Sequence, residues 1–332
     1  MKKDFIILNA ERNVSLTCYL EETGGEFREI SRRPAVLILP GGGYHFCSDR
    51  EADPVAWPYL RAGYHAFILR YSLNEQAVWP NPLEDYEQAM GLIRKNADEW
   101  RVAADRIAVI GFSAGGHLAA CAAAMSKNRP NAAILGYPVI DGPCAKDYLA
   151  SAPDVPSRVD GDTCPCFVFA TRTDNLVPVE NSIHMIDALC RNDVAFECHI
   201  YSNGGHGLST GDESLNMGGF TGRYPDWVED SIAWLRDVLG GITASGLTDP
   251  AFGPKVNGDR DETLNLECTF ARLAEFPEAK KALDEYLPGI GNTVPSAAAH
   301  VIRLCDRLWD FKGDPEDIRR LEERLRAIPN RD

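Results

Sequence analysis

Arg106-Ile107-Ala108-Val109-Ile110-Gly111-Phe112-Ser113-Ala114-Gly115-Gly116-His117-Leu118-Ala119-Ala120 is the stretch on which the fold turns. Ile107 to Ile110 reads as a buried strand, and Gly116 to Met125 as an Ala-rich helix. G-x-S-x-G lies between them. Alone, that pattern arises by accident in a glycine-rich chain. Between a strand and a helix it is what a nucleophile elbow needs. The turn is then so tight that its flanking positions must be small. The serine is strained, with its hydroxyl above the sheet, and the Ala114 amide sits at a helix N-terminus where it can serve an oxyanion.

Outward from this corner, strand and helix patterns alternate from residue 34 to 240. Pro34–Leu39 is a continuous apolar run, as expected of a strand covered on both faces. Further strands are read at 64–71, 132–137, 166–170 and 196–201, and helices at 53–61, 83–100, 179–191 and 227–239. The alternation predicts an α/β fold, a mostly parallel central sheet with helices on both faces. Segments 14–20 and 26–30 are candidates for added antiparallel edge strands. After Gly240-Gly241 the composition turns to Gly, Pro, Asp and Thr, and then helical patterns follow. The expected division is 1–242 for the α/β domain and 243–332 for a linker and a small helical appendage. Val301, Leu304, Cys305, Leu308 and Trp309 predict one helix face, and Asp314-Pro315 predicts the N-cap of another helix.

A serine nucleophile needs a base, and the base needs an orienting carboxylate. In the elbow topology they arrive in the order Ser, Asp or Glu, His. Asp174 follows the strand at 166–170, and His206 sits in Gly204-Gly205-His206-Gly207 after the strand at 196–201. Each alone has a plainer reading, a helix cap for Asp174 and a surface loop for His206. Together with Ser113 they fall in the required order at three strand ends, which no structural demand explains. Pro40-Gly41-Gly42-Gly43-Tyr44 ends the first parallel strand. Its glycines let backbone N–H groups approach an oxyanion, so Gly42 and Gly43 join Ala114 as candidate donors. It is no phosphate loop, since G-K-[ST] does not follow. Tyr44, Trp79 and Tyr137, in or beside loops that follow strands, are the expected substrate contacts. The loops at 44–53, 72–82 and 139–165 are the expected walls of the acyl pocket.

Composition narrows the function classes. A net charge of −15 with no basic stripe excludes a surface that tracks nucleic-acid phosphates. No run approaches the length of a membrane span, and the apolar stretch at residues 5–8 is too short for a signal peptide, so the expectation is a cytoplasmic protein with no membrane partner. The ten cysteines are scattered, and Cys164-Pro165-Cys166 has no further ligands at metal spacing. No metal or organic cofactor is expected.

The quoted residues together resemble the α/β-hydrolase superfamily. More narrowly they are similar to the esterase/lipase branch that includes bacterial acetyl-xylan and feruloyl-type carbohydrate esterases. The resemblance is carried by Pro40–Tyr44, Arg50–Ala56, Gly63–Phe67, Leu69–Ser72, Gly111–Ala119, Asp174 with Val177-Pro178, and Gly205–Gly207. It covers roughly residues 34–240. Proline stands at position 40 where the family's glycine loop usually has histidine. The resemblance implies a serine carboxylesterase acting on short acyl esters, with acetylated xylo-oligosaccharides as the implied substrates. A serine peptidase of the prolyl-oligopeptidase type shares the fold and the triad order, and a non-catalytic binding protein could retain the fold. Phe276–Lys280 and Leu287–Gly289 resemble a small helical module appended to some carbohydrate-active enzymes. Its apolar stripes must bury against each other, against the main domain, or against a second copy in a homo-oligomer.

Overall fold

A computed structural model describes residues 1–216, 222–309 and 314–331. Two compact units result, residues 1–254 and 255–332. The division falls later than the 242/243 boundary read from composition. The segment after Gly241 forms a short hairpin, Ile242–Thr243 with Gly246–Leu247, and is tied back to the first unit. Arg106 donates to the Thr248 carbonyl, the Ala251 amide to Asp237, and the Ala195 amide to Pro254.

In chain order the first unit comprises β1 (Lys2–Asn9), β2 (Val14–Leu20), β3 (Arg33–Leu39), α1 (Asp53–Arg61), β4 (His65–Arg70), α2 (Asn81–Lys95), α3 (Ala97–Trp100), β5 (Val102–Phe112), α4 (Ala114–Met125), β6 (Ala132–Gly136), α5 (Gly142–Tyr148), β7 (Cys166–Thr171), α6 (Glu180–Arg191), β8 (Phe196–Tyr201) and α7 (Trp227–Leu239). Strands β1 to β8 form one sheet in the order β1-β2-β4-β3-β5-β6-β7-β8. β1 and β2 are antiparallel additions, and the other neighbours run parallel. The candidate edge strand at 26–30 does not form: Gly24 and Phe27 make an isolated bridge within a tight turn. The N-terminal residues instead supply β1, whose alternating exposure is that of an edge strand.

Every residue of β3, β6 and β7 is buried, which explains why only Arg33 at the start of β3 and Thr171 at the end of β7 interrupt their apolar composition. Side-chain parity sorts the core into two layers. Leu37, Leu39 and Val109 pack with α2, α4 and α6 residues such as Met90, Leu118 and Met185. Val36, Ile38, Ile110 and Phe112 pack on the other face with Val55 and Tyr59 of α1 and Trp227 and Leu235 of α7. α4 is buried from Ala114 through Ala124, so its alanines reflect lack of room as much as helix propensity.

That lack of room is sharpest at the corner. A Cβ on Gly115 would lie 2.1 Å from the Leu39 carbonyl oxygen, and one on Gly111 2.1 Å from the Gly115 carbonyl oxygen. Ser113 between them adopts φ 53° and ψ −118°.

The second unit has its own apolar core, with Leu264, Leu273, Leu283, Leu304, Leu321 and Leu325 among its buried residues. Its helices are α8 (Phe270–Ala274), α9 (Pro277–Tyr286) and α10 (Pro315–Arg326). Asp314 caps α10 by accepting from the Glu316 amide, with Pro315 at the first position. The helix predicted through Val301–Trp309 is not there. Only a 3₁₀ turn, Cys305–Arg307, forms. The Leu304 and Cys305 amides donate to the carbonyls of Cys268 and Leu266, so at the centre of the segment the backbone pairs across to another segment and a continuous helix cannot form. Val301 and Trp309 are exposed as a result.

All ten cysteines are free thiols, and the Cys166 thiol donates to the Cys164 carbonyl rather than bonding its sulfur. Among the described residues no helix is long and apolar enough to cross a membrane.

The corner supplies a stability test. Gly115→Ala forces its Cβ into backbone atoms and should destabilise the first unit by about 1–3 kcal/mol, read as a lowered urea midpoint. Ala119→Gly, on the same helix without that clash, should cost only about 1 kcal/mol.

Candidate active site

The three strand ends bring Ser113, Asp174 and His206 together. The Ser113 Oγ lies 2.9 Å from Nε2 of His206, and Nδ1 of His206 lies 2.8 Å from Oδ2 of Asp174. Ser113 is pinned on both sides: its amide donates to the Gly136 carbonyl, and its own carbonyl accepts from His117 and Val139. Asp174 is buried at the side chain, and its Oδ1 accepts from the amides of Leu176 and Val177 at 2.9 Å each. Those amides can only donate, so Oδ1 is an acceptor, and an ionised Asp174 leaves Oδ2 to accept from His206. The Nδ1 of His206 must then carry the proton, leaving Nε2 free to accept from Ser113. Asn175 fixes the His206 backbone by accepting from its amide. Thr171 and Thr173 hold the same loop through the Gly204 carbonyl.

The glycine loop closes on the serine. A Cβ on Gly41 would come 3.0 Å from the Cβ of Ser113. Gly42 and Gly43 have φ of 132° and 63°, a backbone path that a side chain would strain. The amides of Gly42, Gly43 and Ala114 donate to no acceptor among the described residues. A cleft of about 490 Å³ opens over Ser113 and His206, lined by Gly42, Gly43, Phe46, Arg50, Tyr148 and Leu176 among others. The loop at 44–53 contributes most of this wall and the segment at 139–165 contributes Tyr148 from α5, whereas 72–82 contributes none.

The three aromatic residues expected to touch substrate do not line this cleft. Tyr44 and Tyr137 are buried, and Trp79 packs against the core and edge-on to His117. Each tyrosine hydroxyl has found an internal partner. Tyr44 donates to Nδ1 of His117 at 2.7 Å. Tyr137 donates to Glu51 at 2.6 Å and sets its ring edge-on to His206, with centroids 4.9 Å apart. They support the site from beneath.

Glu51 is the residue that sequence reasoning passed over, and His117, which from sequence reads as a packing or capping residue of the helix after the elbow, is buried there. The Nε2 of His117 faces the Pro153 carbonyl at 3.0 Å, so it carries the proton and Nδ1 accepts from Tyr44. This neutral ring ties the glycine loop to the 139–165 segment, and burial pushes its pKa down to about 4. Glu51 is buried in the segment after the glycine loop. Its Oε2 accepts from the Gly41 amide at 2.7 Å. Burial raises its pKa, opposed by the Tyr137 and Gly41 hydrogen bonds and by the nearby His206 and Arg50. The only sequence signal for either was its place in a phrase of the family resemblance. Among the described residues no cluster of three or more His, Cys, Asp or Glu could hold a metal ion.

A parallel sheet in this strand order, with a serine strained at the β5–α4 corner and loops from β7 and β8 meeting over it, defines an α/β hydrolase. Comparison with known proteins agrees. The BD-FAE family profile matches residues 27–155, and that of the prolyl oligopeptidase family matches 144–241. A solved α/β hydrolase from a Medee basin deep-sea metagenome library, MGS-M1, is 42% identical, with a TM-score of 0.68 over 72% of this chain and 98% of that one. Endo-1,4-beta-xylanase B of Butyrivibrio fibrisolvens is 30% identical over 58% of this chain and 35% of its own length. Acetylxylan esterase of Xylanibacter ruminicola is 28% identical over 63% of this chain and 47% of its own. The chain thus spans half or less of these two curated relatives. The chain belongs to the α/β-hydrolase family.

The buried histidines set a pH dependence. His65 is held like His117, accepting the Glu21 amide and facing the Arg101 carbonyl, and burial pushes it to about 4 as well. Between pH 6.5 and 4 the unfolded chain binds these protons and the folded chain does not. Stability is therefore full above pH 6.5 and falls with pH across that window, by about 1.4 kcal/mol per pH unit for each group. Urea midpoints at pH 7, 6 and 5 should show the slope, and His117→Gln should roughly halve it.

Proposed function

We propose that this protein is a serine carboxylesterase that removes short acyl groups, acetyl above all, from acylated xylo-oligosaccharides. The observation that carries the chemistry is the hydrogen-bond relay from Ser113 through His206 to Asp174, at 2.9 and 2.8 Å. Ser113 Oγ attacks the ester carbonyl as Nε2 of His206 takes its proton. Asp174, already accepting on both oxygens, stabilises the imidazolium and holds the ring's tautomer. The oxyanion is met by the amides of Ala114 and of Gly42 or Gly43, each worth about 3 kcal/mol in the transition state. His206 returns the proton to the leaving alcohol, and the acyl-enzyme is then hydrolysed by water that the same histidine activates. Nothing in this sequence of steps calls for a cofactor.

The substrate reading is supported by the acetylxylan esterase and the xylanase among the relatives, and by the character of the cleft mouth. Phe46 and Leu176 are more than half exposed there, with Tyr148 beside them. Apolar faces of this kind suit the C–H face of a sugar ring.

The prolyl oligopeptidase match over 144–241 keeps a second reading in view, because it contains the loops that carry Asp174 and His206. A substrate panel separates the two. Acetylated xylo-oligosaccharides and p-nitrophenyl acetate should be cleaved, and aminoacyl p-nitroanilides should not. The reverse preference would replace esterase by peptidase. Ser113→Ala should abolish fluorophosphonate labelling and lower kcat by about four to six orders of magnitude, and Asp174→Asn should lower it by about four. Retained turnover in Ser113→Ala would overturn the mechanism, and an unlabelled wild-type chain would make it a non-catalytic relative.

A further inference from the structure

We propose that Glu51 is a positioning residue that couples the oxyanion loop to the catalytic histidine through Tyr137 and adds to Asp174's stabilisation of the imidazolium. The inference rests on the acyl-transfer reading above. Three observations carry it. Oε2 of Glu51 accepts the Gly41 amide at 2.7 Å, next to the candidate oxyanion donors Gly42 and Gly43. Oε1 accepts the Tyr137 hydroxyl at 2.6 Å, and the Tyr137 ring lies against His206. The same hydroxyl accepts the Ser209 amide at 3.1 Å, three residues after His206, while the Ser209 hydroxyl donates to the carbonyl of Arg50. Two chain segments far apart in sequence, 41–51 and 206–209, are thus linked to one carboxylate, the second through the Tyr137 hydroxyl.

The protonation state follows from donor counting. Gly41 N–H can only donate. Tyr137 Oη already accepts from Ser209, so its own proton points to Glu51. Both carboxylate oxygens are therefore acceptors, which is the arrangement of the anion. The titratable groups facing it are His206, Arg50, Tyr137, Cys47, Tyr71 and Tyr224. Of these His206 gains positive charge during acyl transfer. An anion fixed in a buried setting strengthens in effect at that moment with no reorganisation.

Glu51→Gln preserves shape but cannot accept at both ends. Whichever way the amide points, one donor meets another. With p-nitrophenyl acetate we expect kcat to fall at least about tenfold with KM within about threefold of wild type, since oxyanion and imidazolium both belong to the transition state. Loss of the anion makes imidazolium less favourable, so the acid limb of kcat/KM should move to lower pH. Tyr137→Phe cuts the same link at its other end, leaves the Gly41 bond in place, and decides the matter if Glu51→Gln does not fold. It should lower kcat in the same direction, and the double variant should be no worse than Glu51→Gln alone. Far-UV circular dichroism and thermal melts check the fold. A folded variant with undiminished kcat, a loss confined to KM, or an acid limb that stays in place would overturn the inference. An inert wild-type enzyme would overturn both this and the esterase reading, whereas an active wild type with a fully active variant overturns this one alone.

Discussion

The corner between β5 and α4 constrains everything around it. Helix α4 starts so close to the ends of β3 and β5 that a single methyl group on Gly111 or Gly115 would meet backbone oxygen at 2.1 Å. Ser113 has to turn the chain in that space, and it does so at positive φ, a conformation that costs on the order of 1–3 kcal/mol. The strain persists because its surroundings over-determine it. The Ser113 amide is spent on Gly136 of β6, and its carbonyl on His117 and Val139. Strands β5 and β6 are locked by parallel pairing through to Phe112 and Gly136, so the corner cannot relax without breaking the sheet's centre. The hydroxyl is held out over the sheet edge as a consequence, and the Ala114 amide beside it has no acceptor among the described residues.

Around that fixed point the loops of the site are held together by buried polar side chains. Three buried polar side chains, His117, Tyr137 and Glu51, each join loops from different strands. His117 links the glycine loop, through Tyr44, to Pro153. Glu51 links the glycine loop to the histidine loop through Tyr137. Asp174 is aligned by two amides of its own turn. A buried polar group is costly unless every donor and acceptor is met, and each of these is met. Such fully satisfied networks fix geometry to tenths of an ångström, which acyl transfer requires of both the base and the oxyanion donors.

The sequence made the fold and the candidate triad readable for one physical reason: in this topology the candidate residues sit at strand ends, and strands buried on both faces are the most visible feature of an amino-acid sequence. Ile107–Ile110, Phe167–Ala170 and the order Ser113, Asp174, His206 needed no tertiary information. The supporting groups did. Tyr44, Trp79 and Tyr137 looked like substrate contacts because aromatic residues in loops after strands often are. Whether a tyrosine faces a cleft or a buried partner depends on the partner, and Glu51 and His117 lie outside the local window of either residue. The failed helix at 301–309 has the same origin. Its apolar spacing was helical, but the amides of Leu304 and Cys305 were claimed by carbonyls of the segment at 266–268.

These two kinds of residue also divide the tasks of the cleft. The reacting groups and their supports are immobilised by the sheet and by buried hydrogen bonds, and a substitution there is felt as lost chemistry. The mouth is built otherwise. Phe46 and Leu176 project from loops with most of their apolar surface uncovered, and Tyr148 stands on a helix of only seven residues. Little of the fold's stability depends on them, so they are free to vary with the alcohol that has to be accommodated. An ester's acyl end must reach the fixed corner whatever its source. On the proposed esterase reading, its alcohol end meets this loosely constrained rim. On that reading, discrimination between esters belongs to Phe46, Tyr148 and Leu176, and the rate at which an accepted ester is cleaved belongs to the corner and to Asp174 and Glu51.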